Sequence, residues 1–220
     1  MIKYLCMTAF VLLTSISVRA DDRSPISYVA LGDSYTIGTG GPPAKSWPSL
    51  IADHLRGRGI PIVLVANLGR EGWTARDLIL YELPIFQKIH PDRVSLLIGV
   101  NDWVQGVDAA VFAQNLQYIL DQIQAVIPNP AHIILVNIPD FSVMPSGSQY
   151  GFGRNIPAGI AAFNQIIQSE ARLHHLNVVD LNTLSKTMKG DPSMAAADGL
   201  HPSAKGYALW ADLIQKSFTK

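Results

Sequence analysis

The sequence predicts an α/β fold built on a parallel sheet with helices on both faces. Two observations carry that prediction. Continuous apolar runs of strand length alternate with longer stretches of helical period, and each run stops at a glycine or a small polar residue. Strands that are apolar throughout, rather than at every second position, belong to sheets buried on both faces, and alternation with helices implies parallel pairing. Right-handed crossovers then gather the carboxyl ends of the strands on one rim.

In chain order, residues 26–34 form the first predicted strand, ending at Gly32-Asp33-Ser34 and passing into a glycine-rich turn at Gly40-Gly41. Residues 46–56 fit a helix with Ser46 as cap, Pro48 in its first turn, and Trp47, Leu50, Ile51 and Leu55 on one face. A second strand, 60–68, stops at Gly69. Residues 74–88 read as a helix capped at Thr74 or its neighbour, which Pro84 should kink or divide.

Residues 93–100 form the third strand. The clearest helix, 108–127, carries Val111, Phe112, Leu116, Ile119, Leu120, Ile123 and Val126 at helical spacing until Pro128 and Pro130 stop it. A fourth strand spans 131–138. Residues 141–156 form a loop longer than usual for such a fold, either a mobile wall of a binding site or disorder without function. A helix at 157–174, a short strand at 176–180, an irregular stretch at 182–197 and a helix at 204–218 complete the chain.

Residues 1–20 read as an export signal: Lys3, an apolar stretch, and small residues Val18 and Ala20 before Asp21-Asp22. The stretch is shorter than the roughly 18 to 20 residues that span a bilayer, and no later segment qualifies. Its removal leaves one domain, 21–220, periplasmic or secreted, with no integral membrane segment and no cysteine, since Cys6 leaves with the signal. Cysteine nucleophiles, disulfides and cysteine-ligated metals are thereby excluded. The mature chain carries 15 Lys and Arg (17 less Lys3 and Arg19) against 17 Asp and Glu, a balance that argues against a nucleic-acid partner.

The predicted topology places Ser34, Gly69, Asn101 and Asp140 just past strand ends, where open α/β sheets bind ligands. Taken singly, Ser34 is equally good cap material, and the glycines and asparagine equally good turn residues. A serine hydroxyl becomes nucleophilic when a base takes its proton, and histidine, with a reference pKa near 6.5, is the usual base. Of six histidines, His201 alone follows an acid, Asp198, by three residues at the predicted rim. Such an acid fixes the imidazole tautomer and stabilises the imidazolium.

Gly32-Asp33-Ser34, Gly69, Gly99-Val100-Asn101-Asp102 and Asp198-Gly199-Leu200-His201 resemble, in order and approximate spacing, the four blocks of the SGNH, or GDSL-type, hydrolases. The resemblance spans nearly all of the mature chain. It implies a flavodoxin-like, three-layer α/β/α fold with a five-stranded parallel sheet. It also implies Ser34 as nucleophile, His201 as base and then acid, Asp198 as its partner, and Ser34, Gly69 and Asn101 as oxyanion donors.

An exported serine esterase acting on carboxylic esters or thioesters is therefore expected, of esterase, lysophospholipase or thioesterase type, with no metal or cofactor. The substrate would be a small-molecule, lipid or carbohydrate ester. An acyltransferase using a sugar or glycerol hydroxyl, and a non-catalytic binding module of the same fold, are the alternatives. Trp73 and Trp103 are candidate substrate contacts, though Trp73 fits equally well as packing on the neighbouring helix. Arg70 and Glu71 read as a solvated turn pair. Tyr35 stands where relatives often carry an apolar residue.

Overall fold

A computed structural model describes residues 24–218 of the chain. The expected export signal lies outside the described residues. The elements run β1 (Ile26–Gly32), α1 (Ser34–Ile37), α2 (Trp47–Gly57) and β2 (Ile62–Asn67). Then α3 (Ala75–Asp77) passes through a π turn, Leu78–Glu82, into α4 (Leu83–Ile89). These are followed by β3 (Arg93–Leu97), α5 (Val100–Val104), α6 (Ala109–Val126), β4 (Ile133–Val136) and α7 (Ile156–Leu173). The chain closes with β5 (Val178–Val179), α8 (Leu181–Lys186) and α9 (Ala204–Ile214).

The five strands are all parallel, in the order β2-β1-β3-β4-β5. This is the flavodoxin-like order, whose direction of winding reverses between β1 and β3. Register places Gly32 of β1 beside Leu97 of β3, so both strands end level at that reversal. Whatever follows them, Asp33-Ser34 on one side and Gly99 to Asn101 on the other, opens into the same crevice.

Helices α2 and α9 pack together on one face, and α4, α6 and α7 on the other. The α6 stripe of Phe112, Leu116, Ile119, Leu120 and Ile123 is buried, each side chain stabilising the fold by about 1.5 to 3 kcal/mol. Val111, expected on that stripe, sits one position ahead of it and is exposed. Thr74 caps α3 in a reciprocal capping box with Asp77. Ser46 occupies the cap position of α2, but its hydroxyl donates to the Pro43 carbonyl instead.

The helix expected over 74–88 is divided just before Pro84, as expected, into α3, the π turn and α4. Pro84 falls in the first turn of α4, where a missing N–H costs nothing, and the irregularity is taken up by the π turn before it. Two short helices depart from expectation. α5 opens where strand β3 was expected to continue, and α8 lies within the stretch expected to be irregular. Residues 141–156 are ordered by two 3-10 turns, Phe141–Val143 and Gly147–Gly151.

Candidate active site

The site begins with the way β1 ends. Gly32 has φ +149°, and a Cβ there would lie 2.2 Å from the Leu97 carbonyl oxygen, so the strand turns off the sheet where only glycine fits. Asp33 caps α1 by accepting the Tyr35 N–H at 3.0 Å. Ser34 is thus the first residue of a four-residue helix, and its N–H has no intrahelical carbonyl to reach. The Asn67 side chain ties β2 to the same turn through the Thr36 carbonyl, at 2.7 Å.

From the other end of the chain, the loop before α9 brings His201 to Ser34. His201 Nε2 lies 3.0 Å from Ser34 Oγ, and His201 Nδ1 lies 2.7 Å from Asp198 Oδ2. The second Asp198 oxygen accepts the N–H groups of Leu200 and His201 at 2.9 and 3.0 Å. Partial burial raises the Asp198 pKa, but the His201 side chain and those two N–H groups outweigh it and hold the carboxyl below its ordinary value. It remains ionised opposite the imidazole. Tyr35 is buried and packs edge-on against the His201 ring, at 5.6 Å between centroids, and against Trp210 behind it.

Ser34, His201 and Asn101 open into a cavity of about 220 Å³, walled by Tyr35, Val100, Val104, Phe141 and Leu200, with Glu71, Gly72 and Tyr150 around it. Asn101, near the start of α5, donates one amide hydrogen to the Trp73 carbonyl at 2.9 Å. An amide carries two such hydrogens, and the second has no partner among the described residues.

The glycine of the second block that reaches the cavity is Gly72. The Gly69 N–H is directed at Asn67 Oδ1, at 3.3 Å, and its Cα is pressed so close to the Ser34 turn that a Cβ would lie 2.7 Å from the Asp33 carbonyl oxygen. Gly72 is left-handed at φ +77°, and its N–H has no hydrogen-bond partner among the described residues. Spacing to the next block does not separate the two glycines, because both fall in one turn.

Neither indole expected at the substrate lines this cavity. Trp73 packs at a tilt against Tyr81, on the neighbouring π turn, at 5.3 Å between centroids. Trp103 is buried against Phe141, with the Arg154 guanidinium 4.1 Å from its ring. Arg70 and Glu71 form no ion pair with each other. Arg70 Nη1 donates to the Gly69 carbonyl at 3.3 Å, while Glu71 faces the cavity. Among the described residues no three of His, Cys, Asp or Glu converge as a metal site, and no helix is long and apolar enough to cross a membrane.

A family model, the GDSL-like lipase/acylhydrolase family, matches residues 30–209. The chain belongs to that family. An arylesterase of Vibrio mimicus is 24% identical over 223 residues, covering 100% of this chain and 99% of that protein. A multidomain esterase of Ruminococcus flavefaciens is 30% identical over 134 residues, 59% of this chain and 16% of that longer protein.

Among solved structures, the lipase/acylhydrolase of Enterococcus faecalis superposes with a TM-score of 0.72 at 25% identity, covering 88% of this chain and 95% of that one. TesA superposes with a TM-score of 0.71 at 22% identity, covering 87% and 97%. The GDSL-family chain is a carboxylic ester hydrolase with the α/β fold of these neighbours.

Proposed function

We propose that this GDSL-family hydrolase is an exported serine esterase that works through an acyl-enzyme on Ser34. The observation that carries the reading is the continuous chain Ser34 Oγ, His201, Asp198, at 3.0 and 2.7 Å, opening into a cavity. His201 Nε2 takes the Ser34 proton as Oγ bonds to the acyl carbon. The Ser34 N–H, the Gly72 N–H and the second Asn101 amide hydrogen face the developing oxyanion, a type of contact worth on the order of 10²- to 10³-fold in turnover.

The C–O bond to the alcohol then breaks, and His201 Nε2 returns its proton to the leaving oxygen. Water, deprotonated by the same nitrogen, attacks the acyl-enzyme, and the free acid departs as Ser34 Oγ recovers the proton. Asp198 stays ionised throughout and holds Nδ1.

The cavity, at about 220 Å³, is smaller than the roughly 300 to 1,000 Å³ that accommodates drug-sized ligands, and its wall is mostly apolar. Together with the arylesterase relative this supports esters of short acyl chains, aryl acetates among them. Ser34→Ala is expected to lower hydrolysis of p-nitrophenyl acetate by roughly 10⁴-fold or more. Near-wild-type hydrolysis by that variant would overturn the reading. Addition of glycerol tests acyl transfer: product diverted from acetate to glyceryl acetate would make the chain a transferase. Failure of a p-nitrophenyl alkylphosphonate to label Ser34 would leave a binding module.

A further inference from the structure

We propose that Glu82, which touches neither Ser34 nor His201, is a positioning residue for the nucleophile: its carboxyl holds the Gly32 N–H and thereby fixes the peptide from which Ser34 is presented. The proposal rests on the reading of Ser34 as nucleophile.

Gly32 lies beyond the last β1–β2 pair, Ala30 with Asn67, so the ladder on that edge supplies no carbonyl for its N–H. An unpaired buried N–H is costly, and a partner must come from elsewhere. Glu82 Oε2 accepts it at 2.9 Å, from a residue 50 positions away. The same peptide is wedged on its other side, since a Cβ on Gly32 would lie 2.4 Å from Thr36 Oγ1. The backbone that delivers Asp33 and Ser34 is therefore held between β3, Thr36 and one carboxyl.

Two further features set Glu82 apart from an ordinary structural acceptor. Its side chain is 0% exposed and forms no ion pair among the described residues, although a neutral side chain would accept the same hydrogen bond without the cost of burying an acid. Burial above all, with Asp33 nearby, raises its pKa well above the usual carboxylate range against the opposing Gly32 N–H and Arg70.

The second feature is the π turn Leu78–Glu82. The extra residue in that turn shifts the helix face, so Glu82 points into the sheet end while Tyr81 beside it is 55% exposed. Glu82 Oε1, Asp33 Oδ2 and Thr36 Oγ1 are all buried without a partner among the described residues, so the polar cluster behind Ser34 is not one optimised for stability alone.

Three variants test the assignment: Glu82→Gln, which keeps the acceptor and the side-chain length; Glu82→Asp, which keeps the acid but is too short to reach Gly32; and Glu82→Leu, which removes both. Rates with p-nitrophenyl acetate are normalised to sites titrated by a p-nitrophenyl alkylphosphonate. Asp and Leu are expected to lower kcat about 10- to 100-fold with KM within about twofold, and to slow phosphonate labelling in parallel, as for an ångström-scale displacement of a reacting group. Gln is expected to retain kcat within about threefold.

A wild-type kcat in Glu82→Asp, whether or not Glu82→Leu folds, would overturn the proposal, as would a Gln variant as impaired as the Asp variant. Phosphonate labelling of Ser34 in the unsubstituted protein separates these outcomes from failure of the nucleophile assignment itself.

Discussion

Ser34 is useful because of the residue before it. Asp33 is fully buried, and one oxygen caps α1 while the other has no partner among the described residues. Burial above all, with Asp102 nearby, pushes its carboxyl up to about 8 against the Tyr35 N–H that favours ionisation. An unfolded Asp ionises near 3.9. Between those values the folded chain keeps a proton that the unfolded chain has released, so the stability contributed by Asp33 is fully present below about pH 4 and is lost as pH rises through 8. Asn at 33 keeps the capping oxygen and does not titrate. Urea unfolding of Asp33→Asn at pH 5 and pH 8 should therefore show a smaller loss of stability with rising pH than the unsubstituted protein. Equal losses would mean that Asp33 does not hold its proton. Asp102, raised to about 6 by burial, and Glu82 persist in the variant and keep part of the slope. The residue types of the site were legible because hydroxyl, imidazole and carboxylate chemistry restricts which side chains can serve. Gly69 and Gly72 were not separable from sequence: each is a glycine in the same turn, and only packing against Asp33 assigns one to the floor and the other to the cavity.

Among the elements, the long and strongly periodic ones were readable and the short ones were not. α6 buries the stripe its spacing predicts, whereas α5 spans five residues, too few to show a period, and begins at a glycine with φ +117°. Yet α5 carries Asn101, Val100 and Val104 into the cavity. Its far end is held by Arg154, whose Nη1 and Nη2 donate to the carbonyls of Trp103 and Val104 at 2.7 Å each, while Nε donates to Gly151 at 3.1 Å. The guanidinium also lies over Trp103. The 141–156 segment, which brings Phe141 and Tyr150 to the cavity, is thus clamped to α5 at one end and joined to the His201 loop through Ser146 N–H and the Gly199 carbonyl, at 2.8 Å. Arg154→Ala is expected to lower kcat/KM about 10-fold and to destabilise the fold by about 1 kcal/mol, chiefly through the part-buried Trp103 carbonyl left without its donor. Lysine, with one point charge and no planar fork, should not rescue it. Thermal unfolding alongside p-nitrophenyl acetate kinetics checks both, and a fully active Arg154→Lys would show that the fork is not needed.

For the whole molecule, the sheet order matters more than any single element. Winding reverses between β1 and β3, and the level ends of those strands bring Ser34 and Asn101 to one crevice although 67 positions separate them. The export reading also belongs at this scale: the protein recovered from a secreting host is expected to have the mass of a chain beginning at Asp21, and an intact Met1 to Lys220 mass would contradict it.

By itself the sequence determined the alternation of strands and helices and the α/β class, and it singled out the residues proposed to activate Ser34, because periodicity and side-chain chemistry are local properties. Only the tertiary structure decided that Trp73 and Trp103 pack away from the cavity, that Gly72 faces it, and that Glu82 reaches back to Gly32 through a π turn. Those outcomes depend on which surfaces meet across the sheet end, and contacts between residues tens of positions apart leave no period for a sequence to display.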